Sequence, residues 1–153
     1  MNEAVAWLPA EFEHPQLVEL PTGHHLRPIR ESDVAIDYPA VMGSRDRLWT
    51  IFGEPWGWPP PTMTFEQDRA DLARHEREIE AHESFNYAVL DAGESCLLGC
   101  VYIDPPEHAD ADADVWWWVV DSEVDGPLDA AIRAFVPAWI AEVWPFRRPR
   151  FLG

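Results

Sequence analysis

The side chains that could do chemistry fall into a few groups along the 153 residues. Trp56 and Trp58 lie in a Gly/Pro-rich stretch. Aromatic faces can hold a cation there, or the two indoles can simply pack over a sheet. His75, Glu78 and His82 share one helical face at a spacing that could bind a metal, but Glu78 is common helix filler, and no metal is expected. His24 and His25 are adjacent in a probable strand, point to opposite faces and cannot chelate together. Cys96 and Cys100 are four apart, ~13 Å along an extended strand, too far for a disulfide. That pattern suits a reducing cytoplasm. No nucleophile elbow, C-x-x-C pair or phosphate-binding P-loop occurs.

The charge balance limits the partners. There are 28 acidic residues against 11 basic ones, a formal charge of −17, and every basic residue is arginine. Such a surface repels nucleic acid and anionic lipid, whose phosphates need cations to neutralise them. A small cationic amine is the more natural ligand. Residues 1–15 lack the positive start of a signal peptide, and no apolar run is long enough to span a membrane.

The length suits one domain, preceded by an extension over residues 1–15. Short strands are expected over 16–20 and 24–29, joined by Pro21-Thr22-Gly23. A helix follows, capped by Ser32 or by Asp37 or Tyr38, with Val41, Leu48 and Phe52 inward. Its continuation, residues 52–61, holds six glycines and prolines around the two tryptophans and is expected to be loop. Thr64 and Gln67 form a capping box that starts a helix over 65–83, with Phe65, Leu72 and Ile79 buried. Strands over 85–90 and 96–103 form a hairpin. The alternating Asp-Ala run over 109–114 is expected to be mostly exposed. Trp116, Trp117 and Trp118 in succession imply a central strand buried on both faces. Gly126-Pro127 opens a third helix ending near Val143, and residues 147–152 form a last strand. The fold class is thus α/β (α+β): a mixed, mostly antiparallel sheet with about three helices.

This order resembles the GNAT superfamily of acyl-CoA-dependent N-acyltransferases over roughly residues 17–152. The resemblance is carried by the segments HHLRPIRESD, FNYAVLDAGESCLLGCVYID and ADVWWWVVDSEVDGPLDAAIRAFV. It implies an N-acetyltransferase using acetyl-CoA on a small amine, with no metal. It places Asp114 as the base, the backbone of Trp118, Val119 and Val120 against the acyl arm, and Trp56 and Trp58 at the acceptor. Asp125, Gly126 and Leu128 fall in the diphosphate loop. That loop departs from the family pattern of Gln or Arg, two residues, Gly, one residue, then Gly or Ala: here it reads Glu123-Val124-Asp125-Gly126-Pro127-Leu128. The family also continues past the last strand with another helix and two strands, so a homodimer partner could supply missing elements. The alternative is a GNAT-like binding or structural module that has lost turnover.

Overall fold

The computed structural model describes residues 7–153. Its elements are β1 (Val18–Glu19), β2 (His25–Pro28), α1 (Val34–Gly43), α2 (Arg45–Trp56), α3 (Phe65–Glu80), β3 (Phe85–Leu90), β4 (Leu97–Asp104), β5 (Ala113–Val119), α4 (Pro127–Val143) and β6 (Pro149–Phe151). The strands form one sheet in sequence order, antiparallel throughout except for the parallel pair β5–β6. The expected α+β class and mixed sheet are therefore present.

Side chains alternate across strands, so the register assigns each residue to a face. Asn86, Tyr102 and Trp116 are cross-strand neighbours, as are Ala88, Cys100 and Trp118. This face lies under α1–α3: the Phe52 ring of α2 meets Tyr102 at 5.8 Å and Trp116 at 5.5 Å. The opposite face carries Tyr87, Val101 and Trp117 and packs on α4, with Tyr87 edge-on to Trp139 at 5.0 Å. The tryptophan strand is thus covered on both sides, and Trp117 and Trp118 are buried.

Four helices form where about three were expected. The first expected helix breaks at Ser44, whose backbone leaves the helical region (φ −117°, ψ 17°). Its hydroxyl accepts the N–H of Asp121 at 2.9 Å, tying the break to the loop after β5. Proline does not stop either half: Pro39 lies inside α1 and Pro55 inside the last turn of α2. The expectation that residues 52–61 are all loop is therefore corrected, because α2 runs on to Trp56. Burial of Phe52 holds that turn in place, and Gly57 ends it in the left-handed conformation (φ 61°), where a side chain would be strained.

Two further expectations change. Phe65 is exposed rather than buried, edge-on to Tyr38, while Leu72 and Ile79 form the buried stripe of α3. The Asp-Ala run is not mostly solvated: Ala111, Ala113 and Asp114 are buried. Asp112 accepts the N–H groups of Arg147 and Arg148 at 2.7 and 2.9 Å, which pins the run to the approach to β6. The capping box at α3 forms as read, with reciprocal bonds between Thr64 and Gln67 of 2.8 and 3.1 Å. Cys96 lies outside β4 and is exposed, Cys100 is buried within it, and both thiols are free. No described helix is long and apolar enough to cross a membrane.

Candidate functional site: an acid- and tryptophan-lined pocket

Between α1–α3 and the sheet lies a cavity of about 420 Å3. The capping box starts α3 so that Asp68, Asp71 and His75 recur on its inner side, while α1 supplies Asp37. Asn86, Tyr102 and Asp104 form the floor, and Trp56 and Trp58 form the wall where α2 ends. Trp56 stacks on Phe52 at 4.6 Å and meets Tyr102 edge-on at 5.3 Å.

The pocket gathers carboxylates that water does not stabilise. Burial, then the neighbouring Asp68, pushes the Asp37 carboxyl well above its ordinary range. Asp68 is raised by burial, although its hydrogen bond with Asp37 works the other way. Burial raises Asp71 against the pull of Arg74. Burial also pushes Asp104 up to about 6, while the Ser84 hydroxyl, donating to its Oδ1 at 2.6 Å, partly restrains it. His75 is lowered to about 4, first by burial and then by Arg74, so it is neutral at physiological pH.

Two acceptors in this pocket have no partner among the described residues. Asp68 Oδ2 and Asn86 Oδ1 are buried without a hydrogen bond, and both residues are at least nine-tenths covered. A buried unpaired acceptor costs about 1–3 kcal/mol. Four aspartates line the pocket, and its one arginine, Arg74, already faces Asp71 at 3.4 Å and Glu78 at 3.7 Å. The arrangement suits a ligand that brings N–H donors and positive charge.

Of the residues singled out from the sequence, Trp56 and Trp58 line this pocket. Asp114 does not. It is buried, takes both ends of Arg150 at 3.2 Å and accepts the N–H of Glu107 at 3.2 Å. Asp104, its cross-strand neighbour, lines the pocket instead. In the sequence Asp37, Asp68, Asp71 and Asp104 each look like ordinary surface charge. Only Asp68 and Asp71 carried a signal, lying with Leu72 on the inward side of α3.

Trp118, Val119 and Val120 stand beside a second feature. The parallel pairing of β5 with β6 covers only Ala113 to Val115. From Trp116 onward the β5 edge has no strand beside it among the described residues. Arg47 of α2 reaches this edge, donating to the Val119 carbonyl and to the Asp121 carboxylate at 2.7 Å.

The start of α4, holding Asp125, Gly126 and Leu128, is closed on itself. Glu123 N–H donates to Val120, Val124 N–H to Asp121, and Gly126 N–H to Glu123. Asp125 (φ 62°) donates its N–H to Asp129 Oδ2 at 2.8 Å. Pro127 has no N–H, and Leu128 is buried. Asp121, Glu123, Asp125 and Asp129 add four carboxylates. An anion needs free amides at a helix start. Here the amides of Asp125 and Gly126 are taken, Pro127 has none, and the four carboxylates oppose a diphosphate.

Solved structures share the architecture. A ribosomal-protein-S5-alanine acetyltransferase from Vibrio fischeri superposes with a TM-score of 0.60 at 19% identity, over 83% of this chain and 68% of that one. RimL, a ribosomal L7/L12 alpha-N-protein acetyltransferase in complex with coenzyme A, gives 0.64 at 16% identity, over 81% and 67%. FdhC, a nucleotide-linked sugar GNAT, gives 0.56 at 12% identity, over 92% and 72%. The fold is that of the GNAT acyltransferases. No protein-family model matches the sequence, and no curated protein is significantly similar to it. The chain spans about two thirds of the length of the two ribosomal-protein acetyltransferases.

Proposed function

We propose that the protein recognises a small organic amine in this pocket as the acceptor of an N-acyl transfer. One observation carries the reading: Asp68 Oδ2 and Asn86 Oδ1 are buried, unpaired acceptors in a cavity walled by Trp56, Trp58 and Tyr102. An ammonium supplies three donors and a charge, which answers both atoms and the surrounding acids. The tryptophan faces add cation–π attraction. Asp104 is ionised at neutral pH and is the lining carboxylate beside Asp114, so it is the group placed to accept the ammonium proton. The neighbours RimL and the S5-alanine enzyme act on ribosomal proteins. A cavity of about 420 Å3, at the small end of ligand pockets (~300–1,000 Å3), favours a small molecule here.

Acetyl-CoA is the donor that the fold suggests, and RimL carries coenzyme A. The closed start of α4 favours a second reading, in which the amine is bound without turnover. Calorimetry with amines and with acetyl-CoA, together with release of free thiol, separates the two. Amine binding with thiol release supports acyl transfer. Amine binding with no acetyl-CoA binding or thiol release supports the binding module. Absence of amine binding overturns both.

A further inference from the structure

The acids of the pocket are not one cluster. Asp37 and Asp68 act on Cys100 of β4: burial raises that thiol, and the charges of Asp37 and Asp68 raise it further. Asp104 stands at the other end of β4, within the field of Glu78 near the end of α3. Cys100 and Asp104 are four residues apart on one strand, ~13 Å. Asp68 and Glu78 are ten apart on α3, ~15 Å, a separation close to that between Cys100 and Asp104. Tyr102, Asn86 and Trp56 lie between the two ends.

The local cations do not neutralise both ends. Arg74 is already engaged by Asp71 and Glu78, and neutral His75 brings no charge. Asp37 and Asp68 at one end and Asp104 at the other form no ion pair with any cation among the described residues. The unpaired Asp68 Oδ2 marks one end, and the unpaired Asn86 Oδ1 lies on the floor beside Tyr102.

We infer that the pocket takes a linear dication, an aliphatic diamine, with one ammonium at Asp37 and Asp68, the other at Asp104, and its methylene chain along Tyr102 and Trp56. This rests on the reading of the pocket as an amine site and narrows it. Each ammonium meets an acid end, and the aromatic floor covers the apolar chain. A monoamine leaves one acid end unanswered.

The test is calorimetry on the full chain with a series of linear α,ω-diaminoalkanes and with monoamines of the same chain length. The best diamine should bind roughly tenfold or more tighter than its monoamine, with an optimum in chain length. Asp104→Asn should bring that ratio close to one, and its thermal unfolding shows whether it is folded. Asp68→Asn, which removes the other end, should do the same. Equal binding of diamine and monoamine by the native chain, or a ratio unchanged in both folded variants, overturns the inference while the amine site stands. If no amine binds, the amine site falls with it.

Discussion

The main-chain N–H of Asp125 donates to the carboxylate of Asp129 at 2.8 Å, and this bond closes the start of α4. Asp129 is buried and also meets Arg133 at 3.2 Å. A carboxylate in the first turn of a helix stabilises it through the dipole and the free amides. Asp129→Ala should therefore lower stability by about 1 kcal/mol, read by urea unfolding. It should also release an amide and remove a negative charge, so inorganic diphosphate should bind the variant more tightly than the native chain. Unchanged stability together with unchanged diphosphate affinity would contradict this account of the loop.

Asp104 and His75 should give opposite slopes of stability against pH. The Asp104 carboxyl is raised from 3.8 to about 6, so the folded state holds the proton more tightly than the unfolded chain. Its contribution is fully present below pH 3.8 and is lost as the pH rises through 6. His75 is lowered from 6.5 to about 4, so its contribution is present above pH 6.5 and is lost as the pH falls through 4. Relative to the native chain, Asp104→Asn should gain about 1–2 kcal/mol at neutral pH and little at low pH. His75→Gln should lose its penalty at acidic pH instead. Thermal unfolding across this range checks both, and a pH-independent effect of either variant would refute its assignment.

Arg27 holds the start of the fold together. It is buried, pairs with Asp33 through two bonds of 2.8 and 2.9 Å, and reaches Glu94 at 3.0 Å. Glu94 is held down to about 2 by Arg27 and then by His25, 2.7 Å away. Arg27→Met leaves the buried Asp33 without its cation, at a cost of about 3–5 kcal/mol. Denaturant titration at neutral pH should show this loss. Asp33→Asn in the same background should recover part of it, and no recovery would point to lost packing rather than an unpaired charge.

Most of this architecture was legible because local patterns agree with it. The Thr64–Gln67 box, the Gly126-Pro127 start of α4 and the apolar runs of β3 and β4 about a tight turn each carry their own geometry. What was not legible depended on contacts distant in sequence. Nothing near Ser44 says that its hydroxyl will serve Asp121, so the split between α1 and α2 is invisible locally. The same holds for the pocket. Trp56 and Trp58 stand out by composition, but Asp37 and Asp68 become partners only when α1 meets α3. Asp114 drew attention from its place in the strand order, yet Arg150, 36 positions later, occupies its carboxylate.

Trp56 and Trp58 should separate in mutation although they share a wall. Trp56 ends α2 with 38% of its surface exposed, and its ring stacks on Phe52 and meets Tyr102. Trp58 is half-buried, packed at 5.7 Å from Phe52 and 6.5 Å from Trp118. Trp56→Ala removes an aromatic face from the pocket and little of the core. It should weaken amine binding about tenfold, the upper part of the cation–π range, with a melting temperature close to native. Trp58→Ala opens space beside the sheet and should lower the melting temperature as well as the affinity. Calorimetry and thermal unfolding on both variants decide the matter. Native affinity in folded Trp56→Ala would mean that the indole only covers Phe52, and the amine would then be held by the carboxylates alone.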